Sequence, residues 1–301
     1  MLLFFLSLDR SMWIIGYKGW GALLCKRLAD CGFLVFSLDY RNFPQGTISS
    51  MEADVASGIA WSIRHCERYG GDCSTITIVG QSAGAHLASL AIVKQSLHES
   101  LHHPSGLASA WPVRDLTGFV GISGIYGIDN EDLLKHFERR GLKVSPVRDI
   151  MDGGQLARCS PLAIVQKHPE LSSKMPRTLL IHGSSDRSAP PNESANFAQA
   201  LRESGCSLSG VWEQYYAGMS HTDPFIECPM HGGEDALVRD VARFALKRPR
   251  CSKASDFDSS VQHTCDAHAL EAGSAHSLQS VHSQQLVPSV CVWIARQVVP
   301  F

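Results

Sequence analysis

An α/β fold with a mostly parallel central sheet and helices on both faces is predicted by two observations. Short apolar runs alternate with amphipathic stretches along most of the chain, and a Gly-Gln-Ser-Ala-Gly turn joins one of those runs to a helical pattern. Several of the apolar runs are apolar without alternation, as strands covered on both faces must be.

The strand candidates are residues 2–8 (LLFFLSL), 33–40 (FLVFSLDY), 75–80 (TITIVG), 118–126 (GFVGISGIY), 178–186 (TLLIHGSSD) and 211–218 (VWEQYYAG). Helical periodicity occupies roughly 17–31, 50–68, 83–98, 192–204 and 233–247. Ser49, with Glu52 three residues later, reads as a capping box for the second of these. Residues 128–172 break the alternation with a charged helical patch, EDLLKHFERRGL, followed by a Gly-rich turn. They are expected to form either a lid insertion or an ordinary surface excursion. Residues 1–248 are thus read as one domain. Residues 249–285, rich in Ser, His, Asp and Gln, are expected to be a disordered linker, and the apolar tail 286–301 a short helix docking on the core.

Composition narrows the function. The chain has 301 residues, 44% hydrophobic and 19% charged, with a formal net charge of −2. That balance gives no global attraction to nucleic acid or to an anionic surface, and no basic stripe is present. The apolar start is too short to span a bilayer and lacks the basic leader and small-residue cleavage site of a signal peptide, so it reads as a buried strand. The ten cysteines are scattered without C-x-x-C or Cys/His metal spacing, so they are expected to be mostly reduced thiols and no metal is predicted.

The chemistry centres on Gly80-Gln81-Ser82-Ala83-Gly84. It follows the run TITIVG and opens a helical pattern, the context of a nucleophile elbow, in which a serine sits on a strained strand-to-helix turn. The Ala83 backbone N–H would then lie at a helix N-terminus, aimed at a developing oxyanion. A serine hydroxyl needs a base, and the base an orienting acid. In the α/β-hydrolase fold these follow in the order Ser, acid, His. Asp186, at the end of TLLIHGSSD, and His221, in AGMSHTDPF, satisfy that order at the carboxyl ends of two strands. Among the 14 histidines, His182 reads as structural and His86 as a packing or hydrogen-bonding residue, while His231 is an alternative base. Asp223 lies too close to His221 along the chain to be the acid.

Beyond these motifs the chain resembles the isoprenylcysteine α-carbonyl methylesterases, a branch of the carboxylesterase-type α/β-hydrolases. The resemblance rests on WIIGYKGWGALL (13–24), LDYRNFPQGTISSM (38–51), GQSAGAHLA (80–88), HFERRGL (136–142), LIHGSSDRSAPPNES (180–194) and SHTDPF (220–225), with the tail at Leu286-Val287-Pro288 and Pro300-Phe301. It implies a serine carboxylesterase that converts the methyl ester of a prenylated cysteine to the free carboxylate and methanol. It also implies Ser82, Asp186 and His221 as the triad, with no cofactor. Relatives are membrane-bound at the endoplasmic reticulum or Golgi through segments upstream of the matching region. The strands that begin the hydrolase sheet are expected to be missing here. Trp13, Ile14, Ile15, Gly16, Tyr17 and Gln81 are candidate substrate-binding residues; for Trp13, Ile14, Ile15 and Tyr17 core packing is an equal reading.

One departure from the family's pattern lies near the start. Where relatives carry a Gly-Gly pair that completes the oxyanion hole, this chain reads Arg10, Ser11, Met12 before Trp13. Each lost oxyanion donor costs ~10²–10³ in rate. The departure implies either an impaired site or a non-native first dozen residues. Three functions therefore compete: a prenylcysteine methylesterase, a general small-ester carboxylesterase or arylformamide hydrolase on the same scaffold, and a catalytically impaired protein that binds prenylated tails or a partner.

Overall fold

In the computed structural model of the protein, the described residues are 2–6, 13–14, 18–101, 111–205, 210–224, 230 and 235–247. The expectations for Arg10, Ser11, Ile15, Gly16, Tyr17, His231, the linker and the tail helix fall outside them. Six strands form one sheet: β1 (Leu2–Leu6), β2 (Leu34–Ser37), β3 (Ile76–Gln81), β4 (Leu116–Ile122), β5 (Thr178–Gly183) and β6 (Val211–Tyr216). Their order is β2-β1-β3-β4-β5-β6, and every pairing is parallel. This is the α/β-hydrolase fold. The α-helices with bounds among the described residues are α1 (Ala22–Asp30), α2 (Ile48–His65), α3 (Ala83–Ser100), α4 (Glu131–Arg139), α5 (Val144–Ile150), α6 (Pro161–Lys167), α7 (Asn192–Glu203) and α8 (Ala236–Leu246).

Strand β3 is buried along its whole length, and so is β5, because helices cover both faces of the sheet. Successive side chains point to opposite faces. Ile76, Ile78, Phe119 and Leu180 accordingly join the core beneath α2, α3 and α7. Val79, Val120, Ile122, Leu179 and Ile181 join the core beneath α1 and α8. The first turn of α3 and its middle, Ala83 to Val93, are buried on every side, which explains why that helix shows apolar residues all round rather than a stripe. Phe119→Ala is expected to destabilise the fold by roughly 3–5 kcal/mol in denaturant titration, because a fully buried ring would leave a cavity in the larger core. A loss below 1 kcal/mol would contradict that packing.

Residues 128–172 carry α4, α5 and α6, and their apolar side chains (Leu133, Phe137, Ile150 and Val165 among them) enter the larger core. Buried Glu193 anchors the chain just before them, accepting hydrogen bonds from the backbone N–H groups of Tyr126 and Gly127, both at 2.8 Å. The capping box at Ser49 does not form. The helix begins earlier, with Thr47 as its extended N-cap, so Ser49 lies within the first turn and donates to the Asp152 carboxylate, while Glu52 pairs with Lys94 at 2.9 Å. Of the cysteines, expected to be mostly reduced, Cys25, Cys31 and Cys159 are free thiols and one pair is bonded. Cys66 and Cys73 form a disulfide across the turn between α2 and β3, where the glycine pair 70–71 folds the chain back and leaves their Cα atoms 6.0 Å apart. Among the described residues, no helix is long and apolar enough to cross a membrane.

Candidate active site

The site is built where three strands end. Gln81 closes β3, and Ser82 follows with φ 51° and ψ −121° before α3 begins at Ala83. A left-handed φ at a non-glycine residue is strained, and it persists only where the surroundings hold it. Here the Ser82 N–H donates to the Ile122 carbonyl at 2.9 Å, and the Ser82 carbonyl accepts from the His86 N–H at 3.0 Å. Gly80 makes the sharp turn possible. A Cβ at that position would come within 2.7 Å of the Gly84 carbonyl oxygen and 2.8 Å of the Ala85 backbone nitrogen. The Ala83 N–H sits in the first helical turn, where N–H groups have no intrahelical acceptor.

Asp186 lies three residues beyond β5, in a turn at the carboxyl end of the strand as expected, although the strand itself stops at Gly183, short of the run 178–186. One carboxylate oxygen, Oδ1, accepts the backbone N–H groups of Ser188 and Ala189, each at 2.9 Å. The other, Oδ2, lies 2.7 Å from His221 Nδ1. His221 Nε2 in turn lies 2.9 Å from Ser82 Oγ. An ionised carboxylate only accepts hydrogen bonds, so His221 carries its proton on Nδ1 and offers a lone pair at Nε2 to the serine hydroxyl. Both Asp186 and His221 are buried. Burial alone would push the Asp186 carboxyl up. The positive charge His221 can carry and the hydrogen bonds from His182 and His221 outweigh it and hold the group well below the usual carboxylate range.

The loop that carries His221 follows β6 and is held from several directions. Met219 accepts the Ser185 N–H at 3.1 Å, and Gly183 packs directly against the Met219 carbonyl. Asp223 accepts the Ser220 backbone N–H and hydroxyl, both at 2.7 Å, so this acid shapes the turn and does not touch the imidazole chain. Gln81 donates its side-chain amide to the His221 carbonyl at 3.0 Å and is fully buried.

Two further histidines take the structural places expected of them. His86 is buried, holds the Cys159 carbonyl at 2.6 Å, and packs edge-on against the Trp13 ring at 5.1 Å. Burial pushes its basicity down to about 4, so it stays neutral. His182 contacts Ser194 Oγ through Nδ1 at 2.8 Å and the Ala189 carbonyl through Nε2 at 2.9 Å. Its Nε2 is also 3.3 Å from Asp186 Oδ2, a contact with the acid that sequence reading missed. The signal was present, since His182 lies four residues before the acid at a strand end. Trp13, read as a pocket wall or as core, is buried to 1% exposure with φ 68°, and its carbonyl accepts the Phe43 N–H at 2.9 Å. Ile14 is exposed. Among the described residues, no group of three His, Cys, Asp or Glu side chains could hold a metal ion.

Comparison with known proteins agrees with this architecture. The BD-FAE family model matches residues 13–201. A probable isoprenylcysteine α-carbonyl methylesterase of Oryza sativa subsp. japonica is 40% identical over 292 residues, covering 96% of this chain and 62% of the relative. An isoprenylcysteine α-carbonyl methylesterase of Arabidopsis thaliana is 36% identical, covering 96% of this chain and 61% of the relative. This chain thus spans about three-fifths of the length of these curated relatives. Among solved structures, carboxyl esterase 2 of Tuber melanosporum superposes with a TM-score of 0.60 at 18% identity, over 80% of this chain and 74% of that one, which bears on the fold alone. With more than half of its length matched by one family model and with these methylesterases among its relatives, the chain belongs to the BD-FAE family.

Proposed function

We propose that the protein is a serine carboxylesterase that hydrolyses the methyl ester of a prenylated cysteine. The observation that carries the chemistry is the continuous Ser82–His221–Asp186 hydrogen-bond chain, 2.9 Å and 2.7 Å long at its two links. The substrate class is supported by the methylesterases of rice and Arabidopsis at 40% and 36% identity.

In this reading Ser82 Oγ attacks the ester carbonyl while its proton passes to His221 Nε2. Asp186 stabilises the resulting imidazolium and holds the ring in register. The tetrahedral oxyanion is met by the Ala83 N–H at the start of α3. Collapse releases methoxide, which takes the proton from His221 and leaves as methanol, with the acyl group on Ser82. Water then attacks the acyl-enzyme, giving up its proton to His221. Release of the free carboxylate returns that proton to Ser82 Oγ.

The test is hydrolysis of a farnesylcysteine methyl ester beside a series of 4-nitrophenyl esters of increasing acyl length, with Ser82→Ala as the zero. The expected result is a kcat/KM for the prenylated methyl ester at least about 10-fold above that for the acetyl ester, since each buried methylene of an apolar chain adds binding in the transition state. Turnover of short acyl esters with none of the prenylated ester would replace this reading by a general small-ester carboxylesterase. A parent chain that binds the prenylated ester without turnover would replace it by a prenyl-binding protein.

A further inference from the structure

We infer that Gln81 is a positioning residue, whose side-chain amide holds the base loop against the nucleophile strand so that His221 meets Ser82. The inference rests on the serine-esterase reading above. Gln81 precedes Ser82 directly, so its backbone is part of the strained turn, yet its side chain is fully buried and forms no wall of an open pocket. Its Nε2 donates to the His221 backbone carbonyl at 3.0 Å, across 140 residues of sequence. The orientation of the amide follows from chemistry, because the reverse would face two acceptors, the amide oxygen and the carbonyl, against each other.

The other holds on the loop point elsewhere. Ser185 to Met219 and the close approach of Gly183 tie the loop to β5, the strand of the acid. Ser220 to Asp223 is internal to the loop. The Gln81 bond ties it to β3, the strand of the nucleophile. Between them these contacts fix the base relative to both of its partners.

A second observation separates function from folding. Gln81 Oε1 is buried with no hydrogen-bond partner among the described residues. A buried, unmatched amide oxygen works against folding, and an apolar side chain of the same length would avoid it. Gln81→Met removes that burden and at the same time leaves the His221 carbonyl without its donor. The two changes oppose each other in stability, whereas only the second bears on where the imidazole sits.

The experiment compares the parent chain with Gln81→Met and Gln81→Leu, two apolar replacements of similar size. It reads the rate of covalent labelling by a fluorophosphonate, kcat and KM for 4-nitrophenyl acetate, and the thermal midpoint. The expected result is a labelling rate and a kcat lower by about 10-fold or more in both variants, with KM within about 2-fold and the midpoint unchanged. Parent-like kcat in either folded variant would overturn the inference, as would a fall in rate matched by a fall in the midpoint in both. A parent chain that the probe does not label would overturn the esterase reading and this inference with it, which distinguishes the two failures.

Discussion

Asp186→Asn is expected to lower kcat/KM about 10⁴-fold, the size of effect that follows when the orienting acid of such a triad loses its charge. The structure dictates how the amide would sit. Oδ1 accepts two backbone N–H groups, from Ser188 and Ala189, so the asparagine oxygen must take that place. Its NH₂ then occupies the Oδ2 position, 2.7 Å from His221 Nδ1. Facing a donor, His221 must present a lone pair at Nδ1 and carry its proton on Nε2, where it no longer accepts the Ser82 proton. The same NH₂ confronts the Nε2–H of His182, which donates to the Ala189 carbonyl and lies 3.3 Å from the Oδ2 position. Two buried donors facing each other cost roughly 1–3 kcal/mol of stability in addition. The check is kcat/KM on a 4-nitrophenyl ester beside denaturant unfolding. A loss below tenfold would show that Asp186 does not set the tautomer of His221.

Gly183→Ala is expected to damage both the fold and the rate. The added Cβ would lie 2.1 Å from the Met219 carbonyl oxygen and 2.7 Å from its carbonyl carbon. Both are backbone atoms, so no rotamer change relieves the clash, and the base loop must move away from β5. Overpacking of this kind costs roughly 1–3 kcal/mol. Displacing the loop by an ångström also moves His221, two residues further on, out of line with Ser82, for a fall in kcat of about 100-fold. Unfolding midpoints and kcat measured on one preparation would check both parts. Parent-like kcat in a folded Gly183→Ala protein would show that the loop's approach to β5 does not position the base.

Much of this molecule is legible along the chain because its signals are local. Alternation of apolar runs with 3.6-residue periodicity reports the strands and helices, since an element's own residues face its neighbours. The strands expected at 75–80 and 211–218 are observed at Ile76–Gln81 and Val211–Tyr216. The helix expected at 192–204 is observed at Asn192–Glu203. The elbow at Ser82 is local too, because strand, turn and helix are contiguous. Element ends were less legible. The run TLLIHGSSD continues in composition past Gly183, but pairing with β6 ends there, and the chain turns to present Asp186. Ser49 and Glu52 have capping-box spacing, yet the helix begins at Ile48 because the apolar face that packs on the core already includes Ile48 and Met51.

What no reading along the chain supplied are the partners that meet through space. The Cys66–Cys73 bond depends on how tightly the turn at Gly70 folds. The grip of Gln81 on His221 and the contact of His182 with Asp186 are likewise invisible in the order of residues. The residues proposed as nucleophile, acid and base, and their order along the chain, come from local patterns, since these depend on residue type and on the element each follows, and the fold places all three within one hydrogen-bond chain. Which nitrogen of His221 carries the proton, what holds its loop, and which polar groups are left buried without a partner were decided by the strand order. That order sets β3, β4, β5 and β6 side by side and brings residues 81, 82, 186 and 221 within hydrogen-bond distance of one another in a chain, because a hydrogen bond depends on a separation of about 3 Å in space and not on distance along the sequence.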